Sequence, residues 1–173
     1  SGQQIASVGE DGFIRTWRLP DSNGEPTVAS REAIAVAEDA THPVLEFLTH
    51  PEGVMSVDYL PDGKAIVTGG TDGQIGVWHA QSGAKQRVFQ AHEHPVRRIG
   101  VSPDGMWVVS VSADRRLSVW DIDSGEHIQT WSTPKGSAMT CVAVDTLTRT
   151  APAEEAAFST FAAQVGQSIP VTR

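Results

Sequence analysis

Between residues 44 and 131, apolar and polar positions follow a strand rhythm, broken at short intervals by Gly, Pro and Asp. Residues 54–60 and 96–102 carry Val54, Val57, Tyr59 and Val96, Ile99, Val101, a period-two pattern with a one-residue slip after the first valine. Residues 65–69 and 107–111 are nearly continuous apolar runs, the pattern of strands packed on both faces. Residues 74–79 and 117–122 predict the next strand of each set, and 44–48, 86–90 and 127–131 an outer strand each. Residues 4–8 and 13–18 alternate around a Glu10-Asp11-Gly12 hairpin turn, and 139–144 reads as one more strand. Two stretches differ. Residues 20–43, with Asp21, Glu25, Glu32, Glu38 and Asp39 among Pro, Gly and Ser, predict an exposed acidic loop. Phe158, Phe161, Ala162 and Val165 recur at i, i+3, i+4 and i+7 behind Thr150 and Pro152, predicting a short amphipathic helix over about 151–165.

The strands recur as a unit. His50 matches His92, Pro61-Asp62-Gly63 matches Pro103-Asp104-Gly105, Asp72 matches Asp114 and Trp78 matches Trp120, each pair 42 positions apart. Ser7, Asp11 and Trp17 keep the mutual spacing of Thr68, Asp72, Trp78 and of Ser110, Asp114, Trp120. Repeats of this length, with a turn signal and a Trp six residues after an Asp, predict propeller blades of four short strands. The stretch resembles the WD-repeat β-propeller family, whose Trp-Asp signature stands as Trp120-Asp121 and is altered to Trp78-His79.

The resemblance implies an all-β fold in which each outer strand joins the preceding blade. Two blades are then complete and a third is divided between the termini. Residues 1–145 form the propeller segment with its insertion at 20–43, and 146–173 form a tail with the helix. The resemblance also implies buried hydrogen-bonded tetrads of His50, Thr68, Asp72, Trp78 and of His92, Ser110, Asp114, Trp120. Ser7, Asp11 and Trp17 supply three members of another, whose His position falls near Pro134 or Lys135. A tetrad buries its hydroxyl, so its Ser-His-Asp grouping is not read as a catalytic triad.

Composition narrows the function. The 173 residues carry a formal net charge of −8, which argues against general nucleic-acid binding. No apolar run approaches the roughly 18 residues of a membrane helix, and Ser1-Gly2-Gln3-Gln4 does not read as a signal peptide. The single Cys141 allows no intrachain disulfide and leaves the compartment open, with the cytoplasm favoured. His92-Glu93-His94 lacks an evident third ligand, so no metal site is assigned, and no sequence signature of a cofactor or catalytic site is present.

Arg97, Arg98, Arg115 and Arg116 are the one basic concentration. They read either as a solvated face or, with His94, as an anion or acidic-peptide site. The family resemblance implies a non-catalytic protein-interaction scaffold. Its contact positions would be Glu10, Glu52, Met55, Thr71, His94, Arg97, Ala113 and Arg115, from loops expected on one face. A partial ring also predicts a homo-oligomer, or a complex with a chain carrying further blades. The alternative is a structural assembly component whose open blade faces and tail helix, at Phe158, Phe161 and Val165, are the interfaces.

Overall fold

A computed structural model describes residues 4–18, 43–132, 139, 140, 142–144, 161 and 162. Its strands are β1 (Gln4–Val8), β2 (Phe13–Arg18), β3 (Leu45–Leu48), β4 (Val54–Tyr59), β5 (Ala65–Gly70), β6 (Gln74–His79), β7 (Lys85–Gln90), β8 (Val96–Val101), β9 (Trp107–Ser112), β10 (Arg116–Asp121), β11 (His127–Ser132), β12 (Ala143–Val144) and β13 (Phe161–Ala162). Antiparallel pairing gathers them into four-stranded sheets β4–β7 and β8–β11, a three-stranded sheet β1–β3, and the pair β12–β13. The two four-stranded sheets are successive propeller blades. Each outer strand joins the blade before it: β3 pairs with β2, β7 with β6 and β11 with β10.

The slip after Val54 and after Val96 has a structural cause. Register shifts between Val54 and Ser56 and between Val96 and Arg98, so a bulge re-aims the rest of each inner strand. Val57, Tyr59 and Val96, Ile99, Val101 then pack on the preceding sheet despite the odd first step. The blades stack through apolar faces. Ile14 and Phe47 of the first sheet meet Ile66, Trp78 and Ala80 of the second. Val67, Ile75 and Val77 of the second meet Val96, Ile99, Val108 and Trp120 of the third. An outer-strand aromatic covers the next blade's tryptophan both times, with ring centroids 5.9 Å apart for Phe47–Trp78 and 5.5 Å for Phe89–Trp120.

At the C-terminal side β12 pairs with β13 (Ala143↔Ala162, Val144↔Phe161) and not with β1, so the halves of the divided blade stand apart. The reason is the stacking order. Val142 and Val144 pack on the far face of β8–β11, while β1–β3 lies beyond β4–β7, so two blades separate the candidate halves. The helix over 151–165 lies outside the described residues except at Phe161 and Ala162, which are extended and paired with β12. Backbone groups of a strand edge need partners, and here that need overrides an amphipathic period. The insertion at 20–43 lies outside the described residues apart from Pro43.

Candidate functional site

The two predicted tetrads come together around buried hydroxyls. His50 Nδ1 lies 3.0 Å from Asp72 Oδ2, His50 Nε2 lies 2.9 Å from Thr68 Oγ1, and the Trp78 indole N–H donates to Thr68 Oγ1 at 2.8 Å. In the next blade His92 Nδ1 lies 2.9 Å from Asp114 Oδ2, His92 Nε2 lies 2.7 Å from Ser110 Oγ, and Trp120 Nε1 donates to Ser110 Oγ at 2.9 Å. A neutral imidazole satisfies every partner: its Nδ1–H donates to the carboxylate, and its Nε2 accepts from the hydroxyl. Burial pushes the His92 pKa below its ordinary value, against the opposing pull of Asp114, and so favours that neutral form. With Thr68 and Ser110 fully buried, the arrangement locks strands rather than presenting a nucleophile.

The first sheet carries a partial version. Trp17 Nε1 donates to Ser7 Oγ at 3.0 Å, but Asp11 Oδ2 meets Arg15 Nη2 at 2.7 Å. In all three turns the other carboxylate oxygen accepts the N–H two residues on, from Phe13, Gln74 and Arg116. Arg15 thus takes the carboxylate contact that a histidine makes in the following blades. Its hydrogen bond, with that of the Phe13 N–H, lowers the Asp11 pKa.

The loops flanking the tetrads join into one rim. Val54 N donates to Gly9 O, Thr71 N to Gly53 O, His92 N to Gly73 O and Ala113 N to Pro95 O. Thr71 Oγ1 also donates to Gly53 O at 3.2 Å, and Ser112 Oγ to His94 O at 3.0 Å. Gly12 and Gly73, at φ +79° and +77°, are required here, because a Cβ at either would collide with the carbonyl of His50 or His92. The third equivalent position is Arg115, a non-glycine residue at φ +66°.

Of the predicted contact positions, Glu10, Glu52, Met55, His94, Arg97 and Arg115 are exposed. Thr71 and Ala113 are half-buried and tied into the rim by their own hydrogen bonds. The rim is therefore acidic at Glu10 and Glu52 and basic around Arg97, Arg98, Arg115 and Arg116, all four arginines exposed. His92 is committed to its tetrad, and among the described residues no group of three His, Cys, Asp or Glu is arranged to hold a metal ion. Phe158 and Val165 lie outside the described residues. No helix among the described residues is long and apolar enough to cross a membrane.

Two residues on the inner rim escaped the sequence reading. Ser56 Oγ accepts from Ile99 N at 3.1 Å and Asp58 Oδ2 from Val101 N at 3.0 Å, bridging β4 to β8. Their polar identity on an alternating strand reads as solvent exposure. Only the neighbouring strand's spare N–H groups reveal the role.

Four-stranded antiparallel blades, staggered by one strand and locked by His-hydroxyl-Asp-Trp networks, define a repeat-built propeller. Residues 41–79 and 83–121 each match the WD40 family model (WD domain, G-beta repeat), so the chain carries two WD40 repeats. It is similar to Protein HIR1 of Kluyveromyces lactis, 29% identical over 51% of this chain and 10% of that protein. It is also similar to the Periodic tryptophan protein 2 homolog of Dictyostelium discoideum, 38% identical over 30% of the chain and 6% of that protein. A component of chromatin assembly factor 1 from Mus musculus is 24% identical over 54% of the chain and 17% of its own length. The chain thus spans a small fraction of the curated relatives it matches.

Proposed function

We propose that this chain is a non-catalytic protein-interaction scaffold whose basic rim segment takes an acidic stretch of a partner protein or peptide. Its open blade faces are completed by further blades, from a second copy or from another chain. The observation that carries the rim reading is the set of four exposed arginines, Arg97, Arg98, Arg115 and Arg116, on neighbouring loops and strands of a chain whose net charge is −8. Arginine suits this task because its fork of donors pairs with carboxylates in two-point contacts. The WD40 repeats support the scaffold role, and the name of the chromatin assembly factor relative supports a place in a multiprotein assembly.

The test is capture of a fluorescent Asp/Glu-rich peptide by anisotropy. Arg97→Glu with Arg115→Glu is expected to weaken it at least about tenfold, the loss of two charge-assisted contacts. Arg115→Gly supplies the control, since it removes the charge while relieving the backbone at φ +66°. Undiminished capture by the double variant overturns the rim site.

A second reading, a structural component of an assembly, is favoured by the exposure of Ile5, Val44 and Leu48. Its test is the solution mass of the chain.

A further inference from the structure

Successive blades present the same rim positions, and the charge at those positions changes sign. Glu52 and Met55, where β4 begins, stand 42 positions before His94 and Arg97, where β8 begins. Gly73 and Gln74 stand 42 positions before Arg115 and Arg116. The backbone is alike in the two blades. Thr71 N donates to Gly53 O as Ala113 N donates to Pro95 O, and the same bulge opens both inner strands. The fold therefore makes the same demand on both members of each pair. Glu and Met in one blade against His and Arg in the next is a difference that packing does not set.

The order of these charges around the rim follows from loop contacts. A Cβ at Gly53 would stand 3.2 Å from the Glu10 carbonyl oxygen and 3.3 Å from its Cα, so Glu10 and Glu52 border one another. Met55 comes next, 41% exposed. Beyond the turn at Gly73, whose Cβ would lie 3.1 Å from His94 O, the following loop leads to Arg97 and Arg98. The rim thus passes from acid, through an exposed methionine, to base within one blade spacing, about 10 Å. These charges are not consumed by the fold. Asp11, Arg15 and Glu46 pair with one another. Among the described residues, by contrast, the side chains of Glu10, Glu52, Arg97 and Arg98 enter no hydrogen bond or ion pair.

We infer that the partner segment is an extended peptide of mixed charge, with a cationic side chain over Glu10 and Glu52, an apolar one on Met55 and a carboxylate on Arg97. This rests on the reading of the basic rim as an acidic-peptide site, and it narrows that reading to one ligand pattern. An extended chain advances about 3.3 Å per residue, so cation and carboxylate stand about three residues apart. Between them Met55 offers an unbranched, polarizable side chain that adapts to apolar partners of different shape. A uniform polyanion fits this rim poorly, because its charge would also lie over Glu10 and Glu52, and like charges set together across an interface oppose binding.

Two fluorescent peptides are compared by anisotropy. One carries two lysines, two leucines and two aspartates in that order; the other has glutamates in place of the lysines. The wild-type chain is expected to bind the mixed peptide about fivefold tighter, an exposed ion pair being worth up to about that factor. Glu10→Lys with Glu52→Lys is expected to reverse the preference, so that the acidic peptide binds the tighter. Damage to the fold would weaken both peptides and could not exchange their order. Equal or tighter binding of the acidic peptide by the wild-type chain overturns the inference. So does an order unchanged by the two glutamate substitutions, or inorganic polyphosphate that competes more strongly than the mixed peptide. Arg97→Glu with Arg115→Glu is expected to weaken both peptides. If it does while the glutamate substitutions leave the order alone, the rim site stands and its mixed-charge ligand falls. Undiminished capture by the arginine variant, or capture of neither peptide by the wild-type chain, overturns the rim site and the inference with it.

Discussion

His92 shows how much a single buried side chain does in this fold. Its imidazole joins Asp114 in a turn to Ser110 on β9, and Ser110 receives Trp120 from β10. Burial lowers its pKa, so the native state stays neutral at pH values where the unfolded chain takes a proton. The unfolded state then binds more protons, and stability rises with pH. The loss is expected to begin as pH falls through the ordinary value of 6.5 and to continue until the native imidazole itself titrates. One proton limits the slope to about 1.4 kcal/mol per pH unit. Urea midpoints measured across that range check it, and His92→Gln should flatten the curve. The tetrad residues were legible because identity and spacing repeat together. Arg15 was not, because an Arg four residues after an Asp on a strand carries no mark of replacing a histidine. Tyr59 is likewise silent in sequence: its hydroxyl is buried with no hydrogen-bond partner among the described residues, and burial raises its pKa.

Among elements, the inner strands are joined by polar side chains as well as by apolar packing. Ser56 and Asp58 on β4 accept the Ile99 and Val101 N–H groups of β8, which point away from β9. Ser56→Ala with Asp58→Ala is expected to cost about 2–3 kcal/mol, since two buried or half-buried donors lose their partners. Amide exchange at Ile99 and Val101 should quicken before that of Val109 and Val119 in the same blade. Unchanged protection at those two amides would sink the bridge. The strands of the blades were read to within a residue or so, because turn chemistry and apolar period agree there. The tail was not, at the two positions described: Phe161 and Ala162 fit a helical stripe, yet an edge strand offered their backbone a partner.

At the scale of the whole molecule, the basic rim stands against an acidic total. The chain carries −8, so the basic rim holds acidic ligands against the sign of the whole, through an attraction that salt weakens. Raising ionic strength from about 0.05 to 0.5 M is expected to loosen peptide capture, as followed by anisotropy. Capture indifferent to salt would contradict a rim site built on charge. The presence of two full blades was legible from the 42-residue period alone. How their open faces are covered was not, because a sequence period counts blades without saying what packs on the outermost of them.

Ser56 and Asp58 stand 43 residues ahead of the amides they receive. A chain made at about 5–20 residues per second exposes these acceptors roughly 2–9 s before Ile99 and Val101 emerge. The later blade is therefore laid down on a surface already patterned to receive it, which gives the growing protein a built-in direction of construction.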